Sequence, residues 1–175
     1  MNLEIPEGIE VIKEGKLLVV KGLKGELKSV LEFPKIELII ETGKIVLKVK
    51  RLTQREKKSL GTMQSLIKNM IEGVTGGFVY KLKICSGHFP MSVSIKGNEF
   101  VVTNFIGEKH PRRLQITEGV KVDVAGDIVE VTGIDKQLVS QVAASIESLL
   151  KRADYDKRIF QDGIYITEKH GKEIK

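Results

Sequence analysis

A chain of 175 residues in which 41% are hydrophobic can bury a core, as one domain or as two small ones, so disorder is excluded as the starting description. The formal charge of +6 biases the partner towards polyanions, nucleic acid or an anionic membrane, without choosing between them. One cysteine, Cys85, excludes an internal disulfide framework, no apolar run approaches the ~18 to 20 residues that cross a bilayer, and the acidic start "MNLEIPEGIE" is unlike a signal peptide, so a soluble cytoplasmic protein is expected.

In chain order, "IEVIK" and "KLLVVKG" read as short strands of period two, joined by a tight hairpin at Glu14-Gly15. The stretches "IELII" and "KIVLKVK" continue the antiparallel pattern. The period then changes to 3.6: Leu60, Met63, Ile67, Met70 and Val74 lie three or four apart, and Thr53 with Glu56 forms a capping-box pattern. The glycines of "GVTGGF" end that helix. After it come "VYKLKI", then "MSVSIKG" and "EFVVTNF" with a turn at Gly97-Asn98, then "VKVDV" and "DIVEVT". A second helix starts at the N-cap Asp135 and carries Val142, Ile146, Leu149 and Ala153 on one face. A strand at Ile164 to Thr167 and a basic tail finish the chain.

These halves repeat. A slide of 83 residues, without a gap, places Ile12-Lys13 on Ile95-Lys96, Val19 on Val102, Leu31 on Leu114, Gly43 to Val46 on Gly126 to Val129, and Ser65 to Lys68 on Ser148 to Lys151. The expectation is an α+β fold made by tandem duplication, each unit a mainly antiparallel sheet packed on one helix, with residues 1–79 as the first repeat and 80–175 as the second. By this reading "VYKLKI" occupies in the first unit the place that "IYI" takes in the second.

Enzyme signatures are sparse. Cys85 and His88 in "ICSGHF" are the one nucleophile-and-base candidate, but residues three apart on an extended chain point to opposite faces. A cysteine packed at a strand end is the better account. His88, His110 and His170 are scattered and lack paired ligand spacing, so no metal and no cofactor is expected. "TGKIV" and "HGKEI" lack the remaining elements of a phosphate-cradling loop.

The basic residues are more informative. Lys109, His110, Arg112 and Arg113 fill the end of "NFIGEKHPRR"; Lys151, Arg152, Lys157 and Arg158 follow the second helix; Lys169, His170 and Lys172 lie in the tail. Four of the six arginines fall in the second unit, and arginine's planar fork suits bidentate phosphate contact. With no tryptophan there is no aromatic platform for single strands, which leaves folded RNA read by shape and backbone. On this reading "NFIGEKHPRR" is a strand running into a proline-fixed basic turn, matched in the first unit by "KGLKGELKSV", a loop without arginines. A protein-binding adaptor built from two like domains is the alternative, and salt dependence separates the two.

At "GHFPMSV", "TNFIGEKHPRR", "GVKVDVAGDIVEVTGID" and "KRIFQDGIYITEK" the chain resembles the ribosomal large-subunit protein L6 family, in its archaeal and eukaryotic branch. The resemblance covers nearly the full length. It implies a non-enzymatic constituent of the large ribosomal subunit, bound to large-subunit rRNA of the 23S type chiefly through the second domain, near the sarcin-ricin loop and the translation-factor site, with neighbouring ribosomal proteins as further partners. The most specific pieces place Asn104, Phe105 and Gly107, and then Arg158, Phe160, Asp162, Gly163 and Tyr165, in the family signature. Two departures stand out: Ser140 and Val142 replace a usual Gly and Thr, which bears on packing, and Tyr155 replaces a common Lys, which removes one expected phosphate contact.

Overall fold

The computed structural model describes every residue except Met1, Pro34, Thr42, Lys50, Lys157 and Lys175, and the backbone alone of Asn2. The chain divides into two compact units, residues 1–77 and 78–175.

The first unit holds β1 (Asn2–Glu4), β2 (Glu10–Glu14), β3 (Leu17–Gly22), β4 (Gly25–Val30), β5 (Ile36–Glu41), β6 (Lys44–Val49) and α1 (Gln54–Thr75). They form two antiparallel three-stranded sheets, β2-β3-β4 and β1-β6-β5. Period two decides which side chains go inside: Leu18 and Val20 on β3, and Ile45 and Leu47 on β6, are buried. Helix α1 lies along β3 and β4 and buries Met63, Ile67, Met70, Ile71 and Val74, which matches the spacing seen in the sequence. The hydroxyl half of its capping box does not close. Thr53 holds the N-cap position, but its hydroxyl makes no cap bond, and the buried Glu56 reaches Lys35 Nζ at 3.4 Å.

The second unit holds β7 (Phe78–Cys85), β8 (Ser92–Lys96), β9 (Glu99–Thr103), a 3-10 turn (Phe105–Gly107), β10 (Arg112–Gln115), β11 (Val120–Ala125), β12 (Ile128–Gly133), α2 (Lys136–Leu149), β13 (Gly163–Lys169) and β14 (Lys172–Glu173). One sheet runs β10-β9-β8 and the other β11-β12-β7-β13-β14. Asp135 caps α2 as expected, its carboxylate accepting from Gln137 N at 2.8 Å. The helix packs on β7, β12, β13 and β10 through Val139, Val142, Ala143 and Ile146. It ends at Leu149, so Ala153 lies beyond it and is exposed, contrary to the four-residue face expected there.

The placement of "VYKLKI" is corrected. It forms β7, which pairs with β12 on one side and β13 on the other, and its alternate residues Phe78, Tyr80, Leu82 and Ile84 all enter the second core. The strand beside β6 in the first unit is instead β1, at the start of the chain.

The single 83-residue slide is also corrected, hairpin by hairpin. Glu14 pairs with Leu17 and Lys96 with Glu99, so the β2–β3 hairpin recurs at 82 residues (14 to 96), and its turn is Gly15-Lys16 rather than Glu14-Gly15. Glu41 pairs with Lys44 and Ala125 with Ile128, so the β5–β6 hairpin recurs at 84 (41 to 125). Burial agrees, since Ile45 and Leu47 correspond to Val129 and Val131, all four buried, whereas a slip of one residue would exchange the two faces. Between these hairpins the connections differ. Gly22 pairs with Gly25 across the turn Leu23-Lys24, but β9 and β10 are joined by the longer Asn104–Pro111 loop.

Because β7 is the central strand of the larger sheet, a fragment of residues 78–175 should unfold cooperatively on its own. One starting at Ser86 should not. Amide exchange of β12 and β13 in the two fragments checks this, and equal protection in both would count against the role given to β7.

Candidate nucleic-acid interface

The two arginines of "NFIGEKHPRR" are not in a turn. Arg112 and Arg113 begin β10, opposite Val102 and Val101, and therefore face opposite sides of that sheet. The exposed turn is Lys109-His110-Pro111 alone. A short run with two arginines after a proline carries little strand signal, which is why β10 escapes a reading by pattern, and its counterpart β4, "GELKSV", escapes because it opens on a glycine and has only Leu27 and Val30 as apolar residues.

Arg112 is engaged within the protein. Its Nε and Nη2 donate to the two oxygens of Glu108 at 2.8 and 2.7 Å, and its Nη1 donates to Leu149 O, at the end of α2, at 2.6 Å. The guanidinium also lies 4.6 Å from the ring centre of Phe105, which is buried. Arg152, just past α2, adds a bond from Nη1 to Glu108 Oε1 at 3.1 Å and covers the Tyr155 ring at 4.4 Å. The hydrogen bonds from Arg112 hold the Glu108 carboxyl below its ordinary range against the opposing effect of burial, with the charges of Arg112 and Arg152 adding to it. This cluster ties the loop to the carbonyl end of α2, where a cation is also favoured by the helix dipole.

The loop needs such a tie. Asn104, Ile106 and Gly107 all have positive φ, 60°, 48° and 75°. Glycine adopts that region freely, and Asn104 is supported by a bond from Nδ2 to Pro90 O at 2.9 Å, but for the β-branched Ile106 it is strained by about 1–3 kcal/mol.

The C-terminal signature is mostly architecture as well. Asp162 is buried and holds the chain just after β7: its Oδ1 accepts from Gly87 N and from His88 N at 3.1 Å, and its Oδ2 lies 2.6 Å from His88 Nδ1. His88 thus has Asp162 as its partner, and its ring stacks at 4.8 Å on Phe160, which in turn meets Tyr155 edge-on at 4.9 Å. Gly163 lies under the Tyr165 ring, where a Cβ would come within 3.2 Å of it. Tyr155, Phe160, Asp162, Gly163 and Tyr165, with Phe105, Ile106, Lys151 and Arg152, are among the residues that line one small cavity of about 40 Å³. The two signature motifs, far apart in sequence, therefore meet at one place. Of the departures from the family pattern, Val142 is buried in the core, Ser140 Oγ bonds to Gln137 O at 3.0 Å, and Tyr155 contributes packing.

The remaining basic residues fall into two groups. Lys109, His110 and Lys151 are exposed where the loop meets the end of α2, and Arg113 is exposed with only a loose 3.9 Å approach to Glu99. Arg158, 89% exposed, follows the same helix and closes a local ring with Asp156 through Nη2 to Oδ2 at 2.8 Å. Lys157 lies outside the described residues. Lys169, His170 and Lys172 sit on the β13–β14 hairpin instead, whose turn His170-Gly171 has φ of 46° and 76°. That hairpin lies beside Phe78: His170 N donates to Val79 O at 2.8 Å and the two rings meet edge-on. Since Gly163 pairs with Cys85 and Lys169 with Tyr80, the groups are at opposite ends of β13, roughly 20 Å apart at strand rise.

Burial alone would raise the Asp162 carboxyl, but the amides of His88 and Gly87 and the imidazole of His88 outweigh it, and the group lies below its ordinary range. A carboxyl lowered by folding stabilises above its unfolded pKa of about 3.9, and that contribution is lost as pH falls through the lowered folded value. Asp162→Asn should therefore cost roughly 1.5–3 kcal/mol at neutral pH and much less in acid. Urea unfolding at pH 7 and stepwise down towards pH 2 checks this; a loss that does not shrink as the pH falls would mean that the charge is not what matters.

Comparison with known proteins adds to this geometry. The family model of Ribosomal protein L6 matches twice, at residues 5–77 and 89–163, as a tandem duplication requires. A relative from Methanococcus vannielii, the large ribosomal subunit protein uL6, is 46% identical over 173 residues, which cover 99% of this chain and 95% of that protein. With both halves matched by the family model and that identity along nearly the whole chain, this protein belongs to the ribosomal protein L6 family, a family of ribosomal proteins and not of enzymes.

Proposed function

We propose that this protein is a structural constituent of the large ribosomal subunit that binds rRNA backbone mainly through its second unit. The observation that carries the reading is the loop Asn104–Pro111. It is longer than its counterpart in the first unit, is fixed to the end of α2 by the Arg112 bonds, and carries the exposed Lys109 next in sequence to Glu108, whose carboxylate also holds Arg152, the neighbour of the exposed Lys151. Cations on a fixed framework suit phosphates at set spacings, whereas mobile surface lysines do not.

The contact set follows from exposure. Lys109, His110, Lys151 and Arg158 form one group, Arg113 adds a cation on the outward face of β10, and Lys169, His170 and Lys172 form a further group that meets a separate stretch of RNA. Arg112 and Arg152 serve behind the first group. In the first unit the corresponding turn has Lys24, whose ammonium bonds to Gly76 O, and β4 after it carries Lys28, which pairs with Glu26 at 2.9 Å. On this proposal the site works near the sarcin-ricin loop and the translation-factor site, as the resemblance to the family implies, with neighbouring large-subunit proteins as further contacts.

Binding of the purified chain to large-subunit rRNA should weaken steeply with salt, with a log-log slope of roughly −4 to −7 for about 4 to 8 phosphates. Lys109→Ala with Arg113→Ala should lower affinity by about 1–3 kcal/mol and leave the melting temperature nearly unchanged. Lys24→Ala with Lys28→Ala should cost less. A flat salt response would point to the adaptor, and equal losses from the two pairs would remove the preference for the second unit.

A further inference from the structure

Glu108 is an acidic residue directly before the exposed Lys109 and His110, where simple electrostatics would make it an obstacle to any polyanion. Its carboxylate nevertheless receives the whole fork of Arg112 and one arm of Arg152, and its backbone N donates to Phe105 O at 2.9 Å. Just before it come Ile106 and Gly107 with positive φ. Just after it come the exposed Lys109 and His110.

We propose that Glu108 is a positioning residue for RNA binding: it locks the strained Asn104–Pro111 loop to the end of α2 in its binding shape, so that removing this negative charge weakens capture of a polyanion instead of strengthening it. The inference rests on the reading of this loop as an rRNA contact. Three features carry it. The fork-to-fork geometry has one solution, so it fixes direction as well as distance. Arg112 Nη1 adds a third anchor on Leu149 O, so the lock joins loop and helix and not two loop residues only. Ile106, held at φ 48°, gives the loop a local preference to leave this conformation once the lock is open.

Charge and position predict opposite signs here. Removing one anion next to Lys109 by Glu108→Gln would raise affinity for RNA if Glu108 acted only through its charge, and raising salt would abolish the difference. A positioning role predicts a fall of about tenfold that persists as salt is raised, because a loop sampling many shapes binds only in the fraction that is competent. Arg112→Lys keeps every charge but loses the fork, and should show the same fall.

The experiment is filter binding of wild type, Glu108→Gln and Arg112→Lys to large-subunit rRNA at low and high salt. Amide exchange of Ile106 to His110 is measured in parallel at a temperature where each variant retains the native signal of β7. The expected result is weaker binding by both variants, with faster exchange confined to the loop. Tighter or unchanged binding by Glu108→Gln overturns the positioning role and leaves the proposed function standing. If Glu108→Gln does not fold, wild-type affinity in Arg112→Lys overturns it equally. Failure of the wild type itself to bind sinks the functional reading, which no variant result can mimic.

Discussion

Arg112 is where the second unit's local and distant constraints meet. One planar group satisfies the Glu108 carboxylate, an end carbonyl of α2 and the face of Phe105. No other cation fits that combination: a lysine ammonium has the charge but neither the fork nor the flat surface for the ring. From this contact follow the direction of the loop, the exposure of Lys109 and the packing of Phe105 into the core. The C-terminal segment then closes on the same region, as Asp162 holds Gly87 and His88 while Phe160 stacks on the His88 ring.

The element types and the duplication are legible in the sequence because period two and period 3.6 are direct consequences of which side chains are buried. Met63, Ile67, Met70 and Val74 identify α1, and Asp135 identifies the start of α2. The alignment of the halves is less legible. A gapless shift of 83 lies between the spacings of 82 and 84 that the hairpins adopt, so it captures the repeat while placing Val46 on Val129, two residues that lie on opposite faces. Only hydrogen-bond register resolves a slip of one residue, and the matching letters that begin at Gly43 and Gly126 pull the comparison towards the wrong one.

The site is half legible for a different reason. Composition marks arginines as phosphate ligands, but nothing in "GEKHPRR" says that β10 begins at Arg112 and sends it inward towards α2 while Arg113 goes outward. Glu108 is passed over altogether. The available signal was an acid four residues before an arginine, a spacing that pairs side chains in helices and here does so across a loop. Tyr155 shows what the letter alone leaves out, since beside the lysine that is missing there the ring supports Arg152 and Phe160.

Family signatures in this chain therefore mark geometry more than contact. Asn104 and Gly107 supply left-handed backbone, Asp162 clamps amides, and Gly163 makes room for a ring, none of which a surface cation could replace. Cations that meet a polyanion are interchangeable within limits, since counterion release depends on their number and approximate place. A framework that sets that place is not interchangeable, because each of its bonds has one acceptable donor. That asymmetry explains why a protein with an excess of positive charge keeps carboxylates such as Glu108 against its own arginines: the anions determine where the remaining cations stand.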